Sequence, residues 1–184
     1  DPAGYKRLCG HFIQPSAVPV LRRLGLAGAI EGAGGVRNGV DVRTSRGWIR
    51  PRPEPGAERD HGYSLRRQKL DPMIRALATG TPGVSYLGGQ AAVELLGDDR
   101  RCEGVRVRDR AGAETAVRAR LVVGADGRTS TVAKLAGARA RVRPNNRFCY
   151  MAYFEGIEHR DDGFGWLWTL ETDVFIAVPE DDGL

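Results

Sequence analysis

The sequence predicts an α/β fold with α+β elements, and three observations carry that prediction. An apolar, β-branched run, Leu121-Val122-Val123, ends abruptly at Asp126-Gly127 and leads into a short helical segment, the strand–turn–helix unit of α/β folds. Three short strand-like segments joined by tight polar turns precede it. Further upstream lie two helical stretches, the stronger with Leu70, Met73, Ile74, Leu77 and Ala78 at i, i+3, i+4, i+7 and i+8.

In chain order, the first helix is expected from Pro15 to Leu24. Val18, Leu21 and Leu24 share a face, Pro15 suits a first turn, and Gly25 suits the end. Gly28 to Gly35 reads as a glycine-rich connection. Val36, Val40 and Val42 alternate with polar residues, and Thr44-Ser45-Arg46-Gly47 turns into Trp48-Ile49, a β-hairpin pattern. Pro51 to Pro55 is a loop. Gly80-Thr81-Pro82-Gly83 stops the helix around Leu70, and Val84 to Leu87 returns as a short strand. Ala91–Leu96, Cys102–Arg108 and Glu114–Arg118 form an antiparallel meander. A strand over Arg120–Ala125 and a helix from Ser130 to Ala136 follow. Arg147–Phe154, Gly165–Thr169 and Asp173–Val178 look like a sheet just beginning, and the sequence stops at a turn, Asp181-Asp182-Gly183-Leu184, with no return strand. An open sheet edge is a poor terminus, so an internal fragment of a longer chain is expected.

Composition narrows the function classes. The chain has 184 residues, 41% hydrophobic and 28% charged, which excludes a disordered tail, a collagen-like repeat and a coiled coil. No apolar run approaches the ~20 residues of a membrane span, and no secretory signal opens the sequence. The net charge is +5, but all except three of the basic residues (Lys6, Lys69, Lys134) are arginines spread among 23 acids. No basic tract with interleaved aromatics exists, so nucleic acid is not an expected partner. Three scattered cysteines, Cys9, Cys102 and Cys149, argue against a disulfide framework and for a reducing, cytoplasmic setting. His11, His61 and His159 stand alone, and no metal site is expected.

The chemistry-bearing stretch is Leu121 to Ser130. A buried strand would deliver Asp126 to its C-terminal end, where open sheets bind ligands. Gly127 permits a tight turn and close backbone approach. Ser130 and the following amides open a helix, a natural place for an anion. The plainer reading makes Asp126-Gly127 a simple turn and Ser130 an N-cap. Local pattern alone leaves both open.

The wider arrangement resembles the FAD-dependent monooxygenases of the para-hydroxybenzoate hydroxylase type, relatives of the flavin halogenases and geranylgeranyl reductases. Three stretches carry the resemblance. They are Lys6-Arg7-Leu8-Cys9-Gly10 with Leu21-Arg22-Arg23-Leu24-Gly25-Leu26, then Leu65-Arg66-Arg67-Gln68-Lys69-Leu70-Asp71, then Val122-Val123-Gly124-Ala125-Asp126-Gly127-Arg128-Thr129-Ser130. The resemblance implies a partial Rossmann-like FAD-binding domain with an antiparallel β-meander (1–35 and 62–144). It also implies the start of a mixed or antiparallel substrate-domain sheet (36–61 and 145–184).

It further implies that Asp126 orders the ribityl–pyrophosphate region of FAD, with Gly127 and Ser130 beside it. Arg66 or Arg67 would neutralise pyrophosphate charge, and Lys6 or Arg7 would face the cofactor near the flavin. Tyr150 and Trp168, in the aromatic-rich sheet, are candidates for the substrate pocket. The implied activity is an NAD(P)H- and O2-using monooxygenase acting on an aromatic or polyketide-like small molecule, with no catalytic acid, base or nucleophile assigned. Two features depart from the pattern. Ala133 stands where the hydroxylases often have an arginine, which leans toward a reductase-like or halogenase-like enzyme. No strand–Gly-x-Gly-x-x-Gly–helix occurs, so this chain by itself is expected to be inactive, and a degenerate, non-catalytic flavoprotein fragment is the alternative from another class.

Overall fold

The elements run β1 (Phe12–Ile13), a 3-10 turn, α1 (Val18–Arg23), α2 (Leu26–Gly32), β2 (Val36–Asn38), β3 (Val40–Thr44), β4 (Gly47–Ile49), β5 (Gly62–Ser64) and α3 (Arg67–Thr79). They continue with β6 (Ala91–Asp98), β7 (Arg101–Arg108), β8 (Glu114–Arg118), α4 (Thr131–Leu135), β9 (Gly165–Leu170), β10 (Asp173–Ala177) and a final 3-10 turn. The computed structural model describes residues 4–7, 9–53, 55–57, 59–158 and 163–183; Leu8, His159 and Leu184, named above, lie outside them. The chain divides into two units, residues 85–148 and residues 2–84 with 149–184. The fold class is the expected one, mixed α/β with antiparallel sheets and one mixed sheet.

In the larger unit, the core gathers Val18, Leu26, Ile30, Tyr63, Leu65 and Leu70. Burying Ile30 and Leu65 completely stabilises the unit by roughly 1.5–3 kcal/mol each. This core explains a departure from the sequence reading. Residues expected as a glycine-rich connection form α2, because Leu26 and Ile30, four apart, both drive into the core. Gly25 turns the chain between α1 and α2 at φ +70, a left-handed conformation that favours glycine. The helix α3 forms where its apolar stripe predicts and ends at Gly80.

The hairpin of β3 and β4 forms in the expected register, Arg43 opposite Trp48 and Thr44 opposite Gly47. β2 leaves that sheet and pairs with β5, which also pairs with β1. The break falls at Gly39, where a Cβ would run into the Phe164 ring. β9 lies parallel to β3 and antiparallel to β10, giving a four-stranded sheet in the order β10-β9-β3-β4.

The smaller unit holds the meander β6-β7-β8 in the expected antiparallel order, with α4 packed on β6. Gly97, at φ +121, sits at an irregularity of β6, where the carbonyl of Arg101 leaves no room for a Cβ. Three expected strands are absent: Arg120–Ala125, Val84–Leu87 and Arg147–Phe154 carry no strand pairing. The physical reason is common to all three. A strand needs a neighbouring strand to take its amides and carbonyls, and no described strand pairs with these segments. Leu121 and Val123 are accordingly 77% and 73% exposed.

Candidate cofactor site

In the smaller unit the motif residues Asp126, Gly127 and Ser130 come together in one turn. Ser130 is the N-cap of α4: its Oγ accepts from the Ala133 amide at 2.9 Å and donates to Asp126 Oδ1. Asp126 Oδ2 accepts from the amides of Thr131 (2.6 Å) and Val132 (3.0 Å). These donors, the Ser130 hydroxyl foremost, hold the Asp126 carboxyl below its ordinary range. Both sequence readings therefore meet in one place. The carboxylate takes the first-turn amides of α4 for itself, while Gly127, exposed at φ +86, accepts from the Ser130 amide at its carbonyl at 3.1 Å.

In the larger unit Arg67 opens α3. Its Nε donates to Asp71 one turn later, and its Nη1 lies 3.7 Å from Cys9 Sγ. The Arg67 Nη2 engages no described residue. Asp71 also accepts from the Lys6 amide at 2.9 Å. Burial pushes the Asp71 carboxyl up, but Arg67 and the Lys6 amide outweigh it and the net shift is downward. The Arg67 guanidinium is correspondingly raised, chiefly by its bond to Asp71. Lys6 and Arg67 thus meet around one carboxylate, and Arg7 lies exposed.

Arg66 points elsewhere. Its amide and Nε donate to Asp181 Oδ1 at 2.9 and 3.2 Å, and its terminal nitrogen reaches Asp182. Lys69 Nζ joins both carboxylates, at 2.7 Å from Asp181 and 2.8 Å from Asp182. Asp181, 115 residues downstream, therefore caps the start of α3, where no local side chain does so. That cap had no signal in the sequence, because capping patterns are read from neighbours in the chain.

A second feature without a sequence signal is the pairing of His11 with Tyr153. His11 is buried at φ +54, and its Nδ1 accepts from the Arg67 amide at 3.2 Å. The proton therefore sits on Nε2, which donates to the Tyr153 hydroxyl. Burial, the largest influence, pulls the His11 imidazole down and keeps it neutral, and burial likewise raises the Tyr153 phenol. Glu180, 7% exposed, is pushed up to about 8 by burial and by Asp181, against the pull of Arg66.

The pocket candidates part company. Trp168 stands on β9 among other aromatic rings, whereas Tyr150 lies outside the strands and is 89% exposed. A pyrophosphate-bearing cofactor fits the residues of the larger unit at the unengaged Nη2 of Arg67. Arg66 fits less well, its charge being met by two carboxylates.

The FAD binding domain family matches residues 4–155. The chain belongs to this family. The likeness to FAD-dependent monooxygenases of the para-hydroxybenzoate hydroxylase type, read from the motifs, holds at this level. No curated protein matches the chain in sequence. Among solved structures, similarity extends to a mutant of P. aeruginosa PqsL, at 22% identity and TM-score 0.60, over 77% of this chain and 38% of that one. It extends to a triple mutant of the flavin-dependent brominase Bmp2, at 19% identity and TM-score 0.69, over 96% and 45%. It extends also to the myxobacterial chondrochloren halogenase CndH, an FAD-dependent halogenase, at 18% identity and TM-score 0.71, over 99% and 44%. At these identities the likeness is one of fold. The FAD binding domain chain spans less than half the length of each of these structures.

Proposed function

We propose that this chain is part of an FAD-dependent oxidoreductase that uses NAD(P)H and O2 to oxygenate an aromatic or polyketide-like small molecule. The observation that carries the reading is the FAD binding domain match over residues 4–155, which contains both the Asp126-Gly127 turn and the Arg67 start of α3. Bound FAD would supply the electron-transfer chemistry. The chain's own residues would bind and orient it. In the larger unit Arg67 Nη2 would donate a charge-assisted hydrogen bond to the pyrophosphate, with the Lys6 amide and Asp71 fixing the Arg67 rotamer. In the smaller unit Asp126 and Ser130 would hold the Gly127 turn. In this reading residues 1–35 and 62–144 belong to the cofactor domain, and 36–61 with 145–184 to the substrate domain. The joining of β3 and β4 with β9 and β10 in one sheet supports that division. A reducing, cytoplasmic setting suits the three free cysteines.

FAD titration followed by flavin fluorescence tests the reading. Arg67→Gln is expected to weaken binding about tenfold, the loss of one charge-assisted bond, with the fold checked by circular dichroism. Equal affinity in the two proteins would remove Arg67 from the site. A halogenase-like activity is the second reading, favoured by Ala133 in α4 where the hydroxylases often carry arginine. In the complete enzyme, halide-dependent against halide-independent consumption of NAD(P)H separates the two.

A further inference from the structure

Three arginines of the meander are held in ion pairs: Arg106 with Glu94, Arg108 with Glu114 and Arg118 with Glu103, each at 2.6 Å. The chain after Gly127 is different. Arg128, Lys134, Arg139, Arg141, Arg143 and Arg147 follow one another, and no Asp or Glu occurs from 127 to 154. All six side chains are exposed, and among the described residues no carboxylate reaches any of them. The acid just before them, Asp126, is turned to Ser130 and to the amides of Thr131 and Val132.

Like charges without partners repel one another, and their complement has to come from outside the chain. The residues beside the charges select it. Arg139, Arg141 and Arg143 occupy every second position, with Ala140 and Val142 between them, and Pro144 ends the run. Val142 is 85% exposed, and Phe148, at the close of the stretch, is 82% exposed. Cations interspersed with exposed apolar side chains suit a surface that offers anionic headgroups above an apolar layer. A single-stranded nucleic acid asks instead for aromatic rings among the cations, and 127–147 contains none.

We propose that residues 128–148 form a docking surface for an anionic lipid bilayer, with Arg139, Arg141 and Arg143 on the headgroups and Val142 at the acyl boundary. Among the described residues no helix is long and apolar enough to cross a membrane, and the contact is one at headgroup depth. It needs no flavin and lies beyond the oxidoreductase reading. Its strength follows the number of cations brought to the surface and falls away within a Debye length.

Cosedimentation of the 184-residue chain with vesicles tests the proposal. Binding is expected to vesicles of phosphatidylcholine mixed with phosphatidylserine, to be absent with phosphatidylcholine alone, and to be lost at high salt. Changing Arg139, Arg141 and Arg143 together to Gln should lower the partition coefficient about a hundredfold. Changing the same three to Lys should keep most of the binding, since bilayer attraction follows charge. Changing Arg106, Arg108 and Arg118 to Gln removes as much charge from paired positions and should leave binding within a few-fold of the parent. The substituted side chains are exposed or partly so, and unchanged far-ultraviolet dichroism confirms that each variant folds. Equal binding to neutral and mixed vesicles, no binding to either, equal losses in the two Gln variants, or loss of binding in the Lys variant overturns the proposal. Tighter binding to oligo-dT or to polyglutamate than to mixed vesicles also overturns it, by assigning the surface to a nucleic acid or to an acidic protein. FAD affinity, read separately by flavin fluorescence, is expected to be the same in all these variants.

Discussion

Replacing Glu180 by glutamine should make the protein's stability less sensitive to alkaline pH. Glu180 is almost wholly buried, its Oε2 has no partner among the described residues, and Asp181 adds a second negative charge beside it. Arg66 opposes these effects without cancelling them, and the carboxyl is pushed up from 4.5 to about 8. The group holds its proton more tightly when folded. Its contribution is therefore complete below about pH 4.5, is lost progressively as pH rises to about 8, and stays lost above that. A shift of this size corresponds to about 5 kcal/mol at the alkaline plateau, a ceiling that local opening of the chain around Glu180 would lower.

Glu180→Gln cannot ionise and escapes this loss. Urea unfolding of both proteins from pH 4 to 9 should give similar stability at the acid end. The variant's advantage should grow through the window and reach several kcal/mol near pH 9, a large share of a domain's usual stability. Parallel pH profiles would refute the reasoning, because they would mean that Glu180 ionises in the native protein as freely as in the unfolded chain.

Gly39→Ala should cost about 1–3 kcal/mol, since its Cβ would collide with the Phe164 ring and force a repacking at the break between β2 and β3; thermal unfolding measures it. Ser130→Ala should cost about 1 kcal/mol by removing the N-cap of α4. It should also speed amide exchange over Thr131–Leu135, and unchanged exchange there would count against the cap. Asp181→Asn should destabilise at neutral pH and lose that effect in acid. Burial pushes the Asp181 carboxyl up, but Lys69 and Arg66 outweigh it and hold it low. Its contribution is therefore present above the ordinary carboxylate pKa and disappears as pH falls through the depressed value.

The elements legible in the sequence are those whose patterns are local. The meander, the β3–β4 hairpin, α3 and the Ser130 start of α4 all declare themselves by alternation, by a 3.6-residue stripe or by turn residues within a few positions. What stayed hidden depends on distant partners. Leu26 and Ile30 make α2 out of a glycine-rich stretch because a core formed by Tyr63 and Leu65 awaits them. Leu121-Val122-Val123 reads as a strand and forms none, since strand character needs a neighbour as well as a composition. The spacing of Asp126, Gly127 and Ser130 is legible, and the three meet in one turn. Arg66 and Arg67 are legible as an adjacent basic pair, but chain position alone does not tell which of them Asp181 and Asp182 claim. The His11–Tyr153 bond spans 142 residues and has no periodic trace.

In the proposed function, Arg67 at the start of α3 forms part of an FAD site. The most direct measurement is an FAD titration of the 184-residue chain beside its Arg67→Gln variant, read by flavin fluorescence at low and high salt. Weak, saturable, salt-sensitive binding is expected, lost on purification and falling about tenfold in the variant. No binding at any concentration, or binding indifferent to both Arg67 and salt, would contradict it.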